Sequence, residues 1–295
     1  MMIPFADMRD RVLEGVSVGP VNRVDLADAD RRILSGDVVT RYDFPLFDNS
    51  AMDGFAVRSA DFDGGPRRFR VVGVSSAGHP FDGELGPGEV ARILTGAPTV
   101  VGCDSVIPVE ASTFDPVNGT VEFTAIPSPG DHIRRRGEIL ESGSLVLASG
   151  TVINPGYLGV LAAHGIAAVD VVSPPTVAIL STGDELVSSK VEPGPGQIFE
   201  SNIVVVETLL NRLGCATRVV HARDDRESIE ATLSELSSSV DIIISTGGVS
   251  MGGDYDALRN AAVDFDVEVV QVAMKPAKPF RVRTGRRCLV LRAPR

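Results

Sequence analysis

Three segments in the second half of the chain combine residue types that could bind phosphate and a hard metal ion. Ser181 to Glu185 places two hydroxyls, a glycine and two carboxylates directly after an apolar run. Thr246 to Asp254 contains four glycines, whose backbone N–H groups can approach an anion closely. Lys275 to Pro279 adds two cations held between prolines. Carboxylates of this kind are suitable ligands for Mg²⁺.

Each of these segments also has a purely structural interpretation. An acidic first helical turn needs no ligand, a Gly-rich loop can simply turn the chain, and surface lysines are usually solvated. Asp254 could be a helix cap or a metal ligand beside the phosphate. The Gly-rich loop matches neither G-x-G-x-x-G nor G-x-x-x-x-G-K-[ST], which excludes the usual dinucleotide and Walker sites.

The first half of the chain contains a dense positive cluster and an unusually polar stretch. Arg134, Arg135 and Arg136 are consecutive, so a bound anion or nearby carboxylates must relieve their mutual repulsion. Because side chains alternate along an extended segment, not all three need face one ligand. Residues 48–57 are too polar for a core strand, and a loop with internal Asx turns is the alternative. Thr95 to Pro98 is predicted to be a turn.

Alternating strands and helices after Pro174-Pro175 predict an α/β domain with a doubly wound, mostly parallel sheet. Ligands bind such sheets beyond the carboxyl ends of the strands, where all three segments of the second half would lie. The predicted strands are Val177 to Leu180, Ala216 to His221, Asp241 to Ser245 and Val267 to Val272, and the predicted helices are Asn202 to Leu213, Glu227 to Leu236 and Asp256 to Ala262.

The elements before this domain are less regular. Asp25 to Leu34 has the apolar spacing of a short amphipathic helix that ends before Gly36. Short β-branched runs between residues 67 and 126 predict a small β domain. Asn154-Pro155 precedes a predicted helix from Tyr157 to His164. We therefore expect an extended helical and linker domain, an inserted β domain and an α/β domain, at residues 1–42 with 137–172, 43–136 and 174–295 respectively.

Composition and charge exclude several classes of protein. Apolar residues make up 43% and charged residues 23%, as in ordinary folded domains. A net charge of −11 disfavours a nucleic-acid partner. The three cysteines form no C-x-x-C and the four histidines are scattered, so neither disulfides nor a zinc site are expected. No apolar run approaches the roughly 18 residues that span a membrane, and a cytoplasmic location is expected.

Six motifs, taken together and in order, give a more specific indication. The sequence resembles the molybdopterin molybdenumtransferase family, which is related to the E domain of gephyrin. The motifs are DNSAMDGFAV at 48–57, RILTGAP at 92–98, IRRRGE at 133–138, AILSTGDEL at 178–186, STGGVSMGGDY at 245–255 and MKPAKPF at 274–280.

The resemblance implies the final step of molybdenum cofactor biosynthesis. Molybdate would enter adenylylated molybdopterin with Mg²⁺-dependent release of AMP. The resemblance also implies a homodimer with a site shared between the α/β domain of one subunit and the β domain of the other. Molybdopterin adenylyltransferase and molybdoenzyme maturation factors would then be the expected partners.

Matching the motifs residue by residue assigns a role to each candidate site residue. The implied catalytic residues are Asp53, Asp184, Glu185 and Asp254, and the implied metal ligands are Asp184, Glu185, Asp224 and Asp254. The implied substrate-binding residues are Thr95, Arg134, Ser181, Thr182, Gly183, Thr246, Gly247, Gly248, Ser250, Lys275 and Lys278.

Three departures from the family pattern bear on activity, and two other functions stay open. Ile139 stands where the family usually has an acid, Gln271 replaces a usual Lys, and the sequence stops at Arg295, where a PGNP loop and a further β domain are expected. A catalytically impaired or non-catalytic molybdopterin-binding or scaffold protein is one alternative. A nucleotide or pyrophosphate hydrolase that reuses the α/β module is the other, and the motifs of the first half argue against it.

Overall fold

The computed structural model divides the chain into two compact units. It describes residues 2–14, 16–62, 64, 68–246, 268–273, 279–283 and 289–293. The first unit comprises Met1–Gly36, Gly150–Pro155 and Ala168–Arg295, and the second comprises Asp37–Ser149 and Gly156–Ala167. The three-part domain division expected from the sequence stays a prediction.

A seven-stranded mixed sheet organises the first unit. Its strand order is β1-β20-β21-β22-β19-β15-β18, with strands numbered along the chain. Strand β15 runs parallel to β18 and β19, as predicted, whereas β21 is antiparallel to both of its neighbours. The strands are β1 Met2–Ile3, β15 Thr176–Thr182, β18 Ala216–Ala222, β19 Ile242–Thr246, β20 Glu268–Val272, β21 Pro279–Arg283 and β22 Leu289–Ala293.

Helices cover both faces of this sheet, which confirms the predicted α/β class. The helices of the first unit are α1 Phe5–Glu14, α3 Asn202–Arg212 and α4 Arg226–Ser239. Ile243 packs in the apolar cluster that contains the buried residues of α4. Ile242 packs against the apolar cluster that contains Met8 of α1. Because adjacent residues of a strand point to opposite faces, α1 and α4 lie on opposite sides of β19. The predicted helix from Asp256 to Ala262 lies outside the described residues.

The main core of the first unit lies between β15 and α4. Ala178 and Leu180 of β15 are fully buried and pack against Ile229, Leu233 and Leu236 of α4. The apolar spacing along α4 therefore forms one buried stripe, as its position against a sheet requires. The packed core behind β15 fixes the position of the polar residues at the end of this strand.

The predicted helix from Asp25 to Leu34 is wrong. Only Leu26–Asp28 is helical, as one 3-10 turn, and Ile33–Leu34 forms strand β3. Leu34 is buried and pairs with Val171, so sheet pairing overrides the helical spacing of the apolar residues. Strand β3 belongs to a three-stranded sheet with β2 Val21–Asp25 and β14 Ala168–Val172. Strand β14 lies in the centre of this sheet.

The second unit is built on a six-stranded sheet in the order β10-β11-β7-β8-β6-β9. The β-branched runs between residues 67 and 126 form strands of this sheet, which confirms the β prediction. Four buried phenylalanines, Phe55, Phe62, Phe69 and Phe123, form its aromatic core with adjacent rings 4.7–5.7 Å apart. The strands are β6 Gly54–Val57, β7 Arg68–Ser75, β8 Glu89–Ile93, β9 Ser105–Pro108, β10 Ser112–Asp115 and β11 Thr120–Phe123.

Short elements complete the described structure. Helix α2, Pro155–Ala163, confirms the predicted helix, and Gly165 follows it. None of the described helices is long and apolar enough to cross a membrane. The remaining strand pairs are β4 Val38–Val39 with β13 Leu145–Leu147, β5 Asn49–Ser50 with β12 Ile133–Arg134, and β16 Leu186–Val187 with β17 Ile198–Phe199, and further 3-10 turns lie at Ser59–Phe62 and Val109–Ala111.

Candidate functional site

A cleft of about 380 Å³ lies at the carboxyl ends of β15 and β18 in the first unit. This is where ligands bind in open α/β sheets. Three residues of the predicted Ser181 to Glu185 segment line the cleft, together with three from the end of β18. The main lining residues are Ser181, Gly183, Asp184, His221, Ala222 and Arg223.

The cleft residues Ser181, Gly183 and Asp184 lie where strand β15 ends at this edge of the sheet. Ser181 and Thr182 are buried and still belong to the strand. Gly183 has a φ of +138°, a conformation that favours glycine, and its carbonyl accepts the Leu186 N–H at 3.1 Å. This turn brings the exposed Asp184 carboxylate to the cleft.

Glu200 orients the Ser181 hydroxyl and was not identified from the sequence. Its Oε2 accepts the Ser181 Oγ–H at 2.6 Å, and its Oε1 accepts the Asn202 N–H at 2.8 Å. One carboxylate therefore caps the start of α3 and fixes the hydroxyl at the end of β15. An acid two residues before a predicted helix was the available signal.

Two of the predicted metal ligands meet at this edge. The Asp184 Oδ1 lies 3.5 Å from the Asp224 backbone N, a long contact, and both residues are exposed. Within the described ranges, no three His, Cys, Asp or Glu side chains converge as a metal site. Mg²⁺ commonly takes one or two carboxylates together with water and substrate phosphate, so this donor set fits it. Glu185 lies next to Asp184 and is half-buried.

Thr246 ends the neighbouring strand β19 and is paired with Ser181 across the sheet. Its side chain is buried, and its Oγ1 has no hydrogen-bond partner in the part of the chain that the structure describes. A buried hydroxyl without a partner is costly, which is consistent with a ligand atom at this edge. The other predicted residues of the second half, Gly247, Gly248, Ser250, Asp254, Lys275 and Lys278, lie outside the described residues.

In the second unit, the structure joins Asp53 to Thr95. Asp53 Oδ1 accepts hydrogen bonds from the Thr95 backbone N–H and from the Thr95 hydroxyl, both at 2.7 Å. The Thr95 N–H, the Thr95 hydroxyl and the nearby Arg92 charge lower the pKa of the Asp53 carboxyl. The Asp53 carboxyl is therefore ionised at neutral pH, and in the structure it is a hydrogen-bond acceptor for Thr95.

The arginine triplet is divided between carboxylates and solvent. Arg135 Nη1 donates to Asp48 Oδ2 at 2.7 Å, and Arg136 Nε donates to Asp43 Oδ2 at 2.6 Å. The exposed Arg134 side chain has no such partner among the described residues. The structure thus supplies the predicted carboxylates for two arginines and leaves the third available to an anion.

These two carboxylates have hydrogen bonds that favour their ionised forms. The Arg136 backbone N–H and the Arg135 side chain lower the pKa of Asp48. The Ser142 N–H and the Arg136 side chain lower the pKa of Asp43. Neither residue was assigned a site role from the sequence, although Asp48 begins one of the quoted motifs.

Backbone pairing brings the three motifs of the first half together. Strand β5 pairs with β12, which sets Asn49 opposite Arg134. Ser50 donates its N–H to the Ala97 carbonyl at 3.0 Å and accepts the Gly96 N–H at 2.8 Å. Residues 49 and 50 are therefore held between the arginine strand and the Thr95 turn. The expectation that residues 48–57 contain no core strand is wrong, because Gly54–Val57 forms the buried strand β6.

Comparison with known proteins identifies both halves of the chain. The family model "MoeA N-terminal region (domain I and II)" matches residues 3–165, and "Probable molybdopterin binding domain" matches residues 178–293. The chain is 38% identical over 271 residues to molybdopterin molybdenumtransferase 2 of Mycobacterium tuberculosis, covering 87% of this chain and 65% of that protein. The Haemophilus influenzae molybdopterin molybdenumtransferase is 38% identical, with 95% of this chain and 69% of that protein covered.

A solved structure gives the same result at the level of the fold. The molybdopterin biosynthesis MoeA protein of Pyrococcus horikoshii superimposes with a TM-score of 0.83 at 29% identity, covering 100% of this chain and 75% of that one. The chain spans about two thirds of the length of the curated relatives that it matches. With one family model over more than half of its length and these relatives, the chain belongs to the molybdopterin molybdenumtransferase family.

Proposed function

We propose that this chain inserts molybdate into adenylylated molybdopterin and releases AMP, the final step of molybdenum cofactor biosynthesis. The cleft at the carboxyl ends of β15 and β18 is the main supporting observation, because it places a carboxylate, a hydroxyl and a glycine turn where α/β sheets bind ligands. Membership of the family supports the choice of substrate.

The cleft residues would bind the phosphate and pterin parts of the substrate. Ser181, with its hydrogen donated to Glu200, presents lone pairs that can accept a hydrogen bond from the ligand. Gly183 leaves room for a ligand close to the backbone at the end of β15. Thr182, Thr246 and the loop residues Gly247, Gly248 and Ser250 complete the proposed binding set.

Asp184, Glu185, Asp224 and Asp254 would hold Mg²⁺ near the phosphates. When bound, Mg²⁺ would neutralise charge on the phosphoanhydride that is cleaved. The exposed Asp184 and Asp224 are oxygen donors of the hard type that this ion prefers.

The residues of the second unit would act on anionic groups and cations. The Arg134 guanidinium has no partner in the described part of the chain and can bind phosphate or molybdate oxygens with two hydrogen bonds. Asp53, kept ionised by Thr95, would accept hydrogen bonds or bind a cation rather than donate a proton. In the first unit, Lys275 and Lys278 are proposed as further anion ligands on the basis of their motif.

The test measures AMP release from adenylylated molybdopterin, with and without molybdate, in the presence of Mg²⁺. We expect molybdate-dependent release by this chain and a loss of at least about a hundredfold in Asp184→Asn and Asp53→Asn. Asp82→Asn changes an exposed carboxylate outside the proposed site and should release AMP as the parent chain does.

Two results would contradict the proposal. AMP release without any molybdate requirement would indicate a hydrolase. Tight binding of the substrate without release would indicate a binding or scaffold protein.

We further propose that the protein is a cytoplasmic homodimer with molybdopterin adenylyltransferase and molybdoenzyme maturation factors as partners. A monomer of 31.1 kDa in solution would contradict the dimer.

A further inference from the structure

Asp48 connects all three motifs of the first half and has no role in the proposed chemistry. Its side chain accepts from Arg135 Nη1 at 2.7 Å and from the Arg136 backbone N–H at 2.8 Å. Its backbone carbonyl accepts the Thr99 N–H at 3.0 Å, beside the turn that contains Thr95. One residue therefore links the segment of Asp53, the strand of Arg134 and the turn of Thr95.

The strand pair beside Asp48 is short, and Arg134 lies at its end. Strands β5 and β12 have two residues each, with Asn49 opposite Arg134. Asp48 immediately precedes β5 and Arg135 immediately follows β12, so continuing the antiparallel register sets these two residues opposite each other. The ion pair between Asp48 and Arg135 closes the end of this strand pair.

Neutralisation of the neighbouring cations also determines which arginine is free. Asp48 engages Arg135, and Asp43 engages Arg136 while accepting the Ser142 N–H at 2.8 Å. Glu138 accepts the Arg135 backbone N–H at 2.7 Å, which tightens the turn after the triplet. Without Asp48, Arg135 would be a second free cation that repels Arg134 and competes with it for an anion.

We propose that Asp48 is a positioning residue that holds Arg134 in place for the anionic substrate by anchoring Arg135 and the end of β12. The residue acts through its neighbours and does not itself touch the substrate. The substrate part of this inference rests on the proposed function, whereas the anchoring of Arg134 does not.

The first experiment needs neither substrate nor activity. Asp48→Asn keeps the size of the side chain and removes its charge, so the ion pair with Arg135 is lost. We expect the amide hydrogen exchange of Arg134 to accelerate by about tenfold or more in this variant. Asp115→Asn is the matched control, because Asp115 is another carboxylate that accepts backbone N–H bonds, from Val117 and Asn118, in a separate hairpin of the same unit.

The second experiment measures coupling between Asp48 and Arg134 through the dissociation constant for adenylylated molybdopterin, without molybdate. Arg134→Gln should weaken binding by about tenfold or more in the parent chain and by less than about threefold in the Asp48→Asn background. A merely structural role would leave the two effects equal, because a general loss of stability does not depend on the side chain at position 134.

The outcomes separate this inference from the proposed function. Unchanged exchange at Arg134, or an equal loss of binding in both backgrounds, overturns the positioning role. If the parent chain releases no AMP, the proposed function fails, and exchange and binding still decide the role of Asp48. If the parent chain does not bind this substrate, the exchange of Arg134 alone decides whether Asp48 anchors it.

Discussion

At the residue scale, the candidate site contains carboxylates that hydrogen bonds keep ionised. Asp53 is exposed, yet one of its oxygens accepts two hydrogen bonds from a single residue, Thr95. The backbone N–H contributes more than the hydroxyl to lowering the pKa of Asp53. The same turn therefore sets both the position and the charge of this carboxylate.

Thr95→Val should raise the pKa of Asp53 toward the usual value for aspartate. The substitution removes the hydroxyl donor and keeps the backbone N–H, so only part of the lowering is lost. Thr95→Ser keeps a hydroxyl and should leave the pKa near that of the parent chain. The measurement is an NMR titration of the Asp53 carboxyl carbon in the three proteins, and equal pKa values in Thr95→Val and Thr95→Ser would contradict the expectation.

At the element scale, the strand that follows Asp53 leaves no space for a side chain at its first residue. Gly54 begins β6, which lies between β8 and β9. A Cβ built on Gly54 would lie 2.1 Å from the Ile107 carbonyl oxygen, closer than any real contact. The close approach of β6 and β9 at this point requires glycine, and it fixes the strand directly after Asp53.

Gly54→Ala should lower the free energy of unfolding by about 1–3 kcal/mol or more, because two paired strands must separate. Gly159→Ala is the control in the same unit. Gly159 lies in helix α2 with open space around its position, so alanine should be neutral or stabilising by about 0.5–1 kcal/mol. Denaturant unfolding measures the free energy of unfolding of both variants. Equal effects of the two substitutions would show that the close contact at Gly54 does not determine the stability of this unit.

Long elements with a clear apolar period were predictable from the sequence, and short ones were not. The sequence predicted β15, α3, α4 and β18 to within three residues at each end, because each contains an apolar run or an apolar period in its sequence. The helix predicted over Asp25 to Leu34 failed because its apolar residues pair with a strand far along the chain.

The candidate site, too, could be predicted from the sequence only in part. Strands β5 and β12 have two residues each, and their pairing depends on contacts between distant segments that no local pattern encodes. The residue types indicated the arginine triplet, but only the family resemblance selected Arg134 within it and gave site roles to Asp53 and Thr95. Their connection through Asp48, and the role of Glu200 under Ser181, needed coordinates because a hydrogen bond between distant residues leaves no spacing signal.

At the scale of the whole molecule, the two units differ in how much their stability depends on ionised carboxylates. Among the described carboxyl groups, those with a lowered pKa are Asp43, Asp48, Asp53, Asp104 and Asp115 in the second unit and Asp225 in the first. Burial acts to raise the pKa of Asp104, and the hydrogen bonds from Ser59 and Ser105 together lower it. The described carboxylates that are stabilised by folding are therefore concentrated in one unit.

The second unit should therefore lose stability before the first when the protein is acidified. A carboxyl whose folded pKa is lowered contributes stability above the unfolded pKa of about 3.9, and this contribution is lost as pH falls through the folded pKa. Stability should be nearly constant from about pH 8 to pH 5 and should decrease below about pH 4.

Amide hydrogen exchange, corrected for the intrinsic pH dependence of the exchange rate, tests this expectation. At acidic pH it should show lost protection in β6, β7 and β8 while β15 and β18 remain protected. Asp225 caps α4 in the first unit by accepting the Ser228 N–H at 2.8 Å, so among the described residues of this unit early opening is expected at this helix start. Simultaneous loss of protection in both sheets would mean that the unequal distribution of these carboxylates does not determine how the molecule responds to acid.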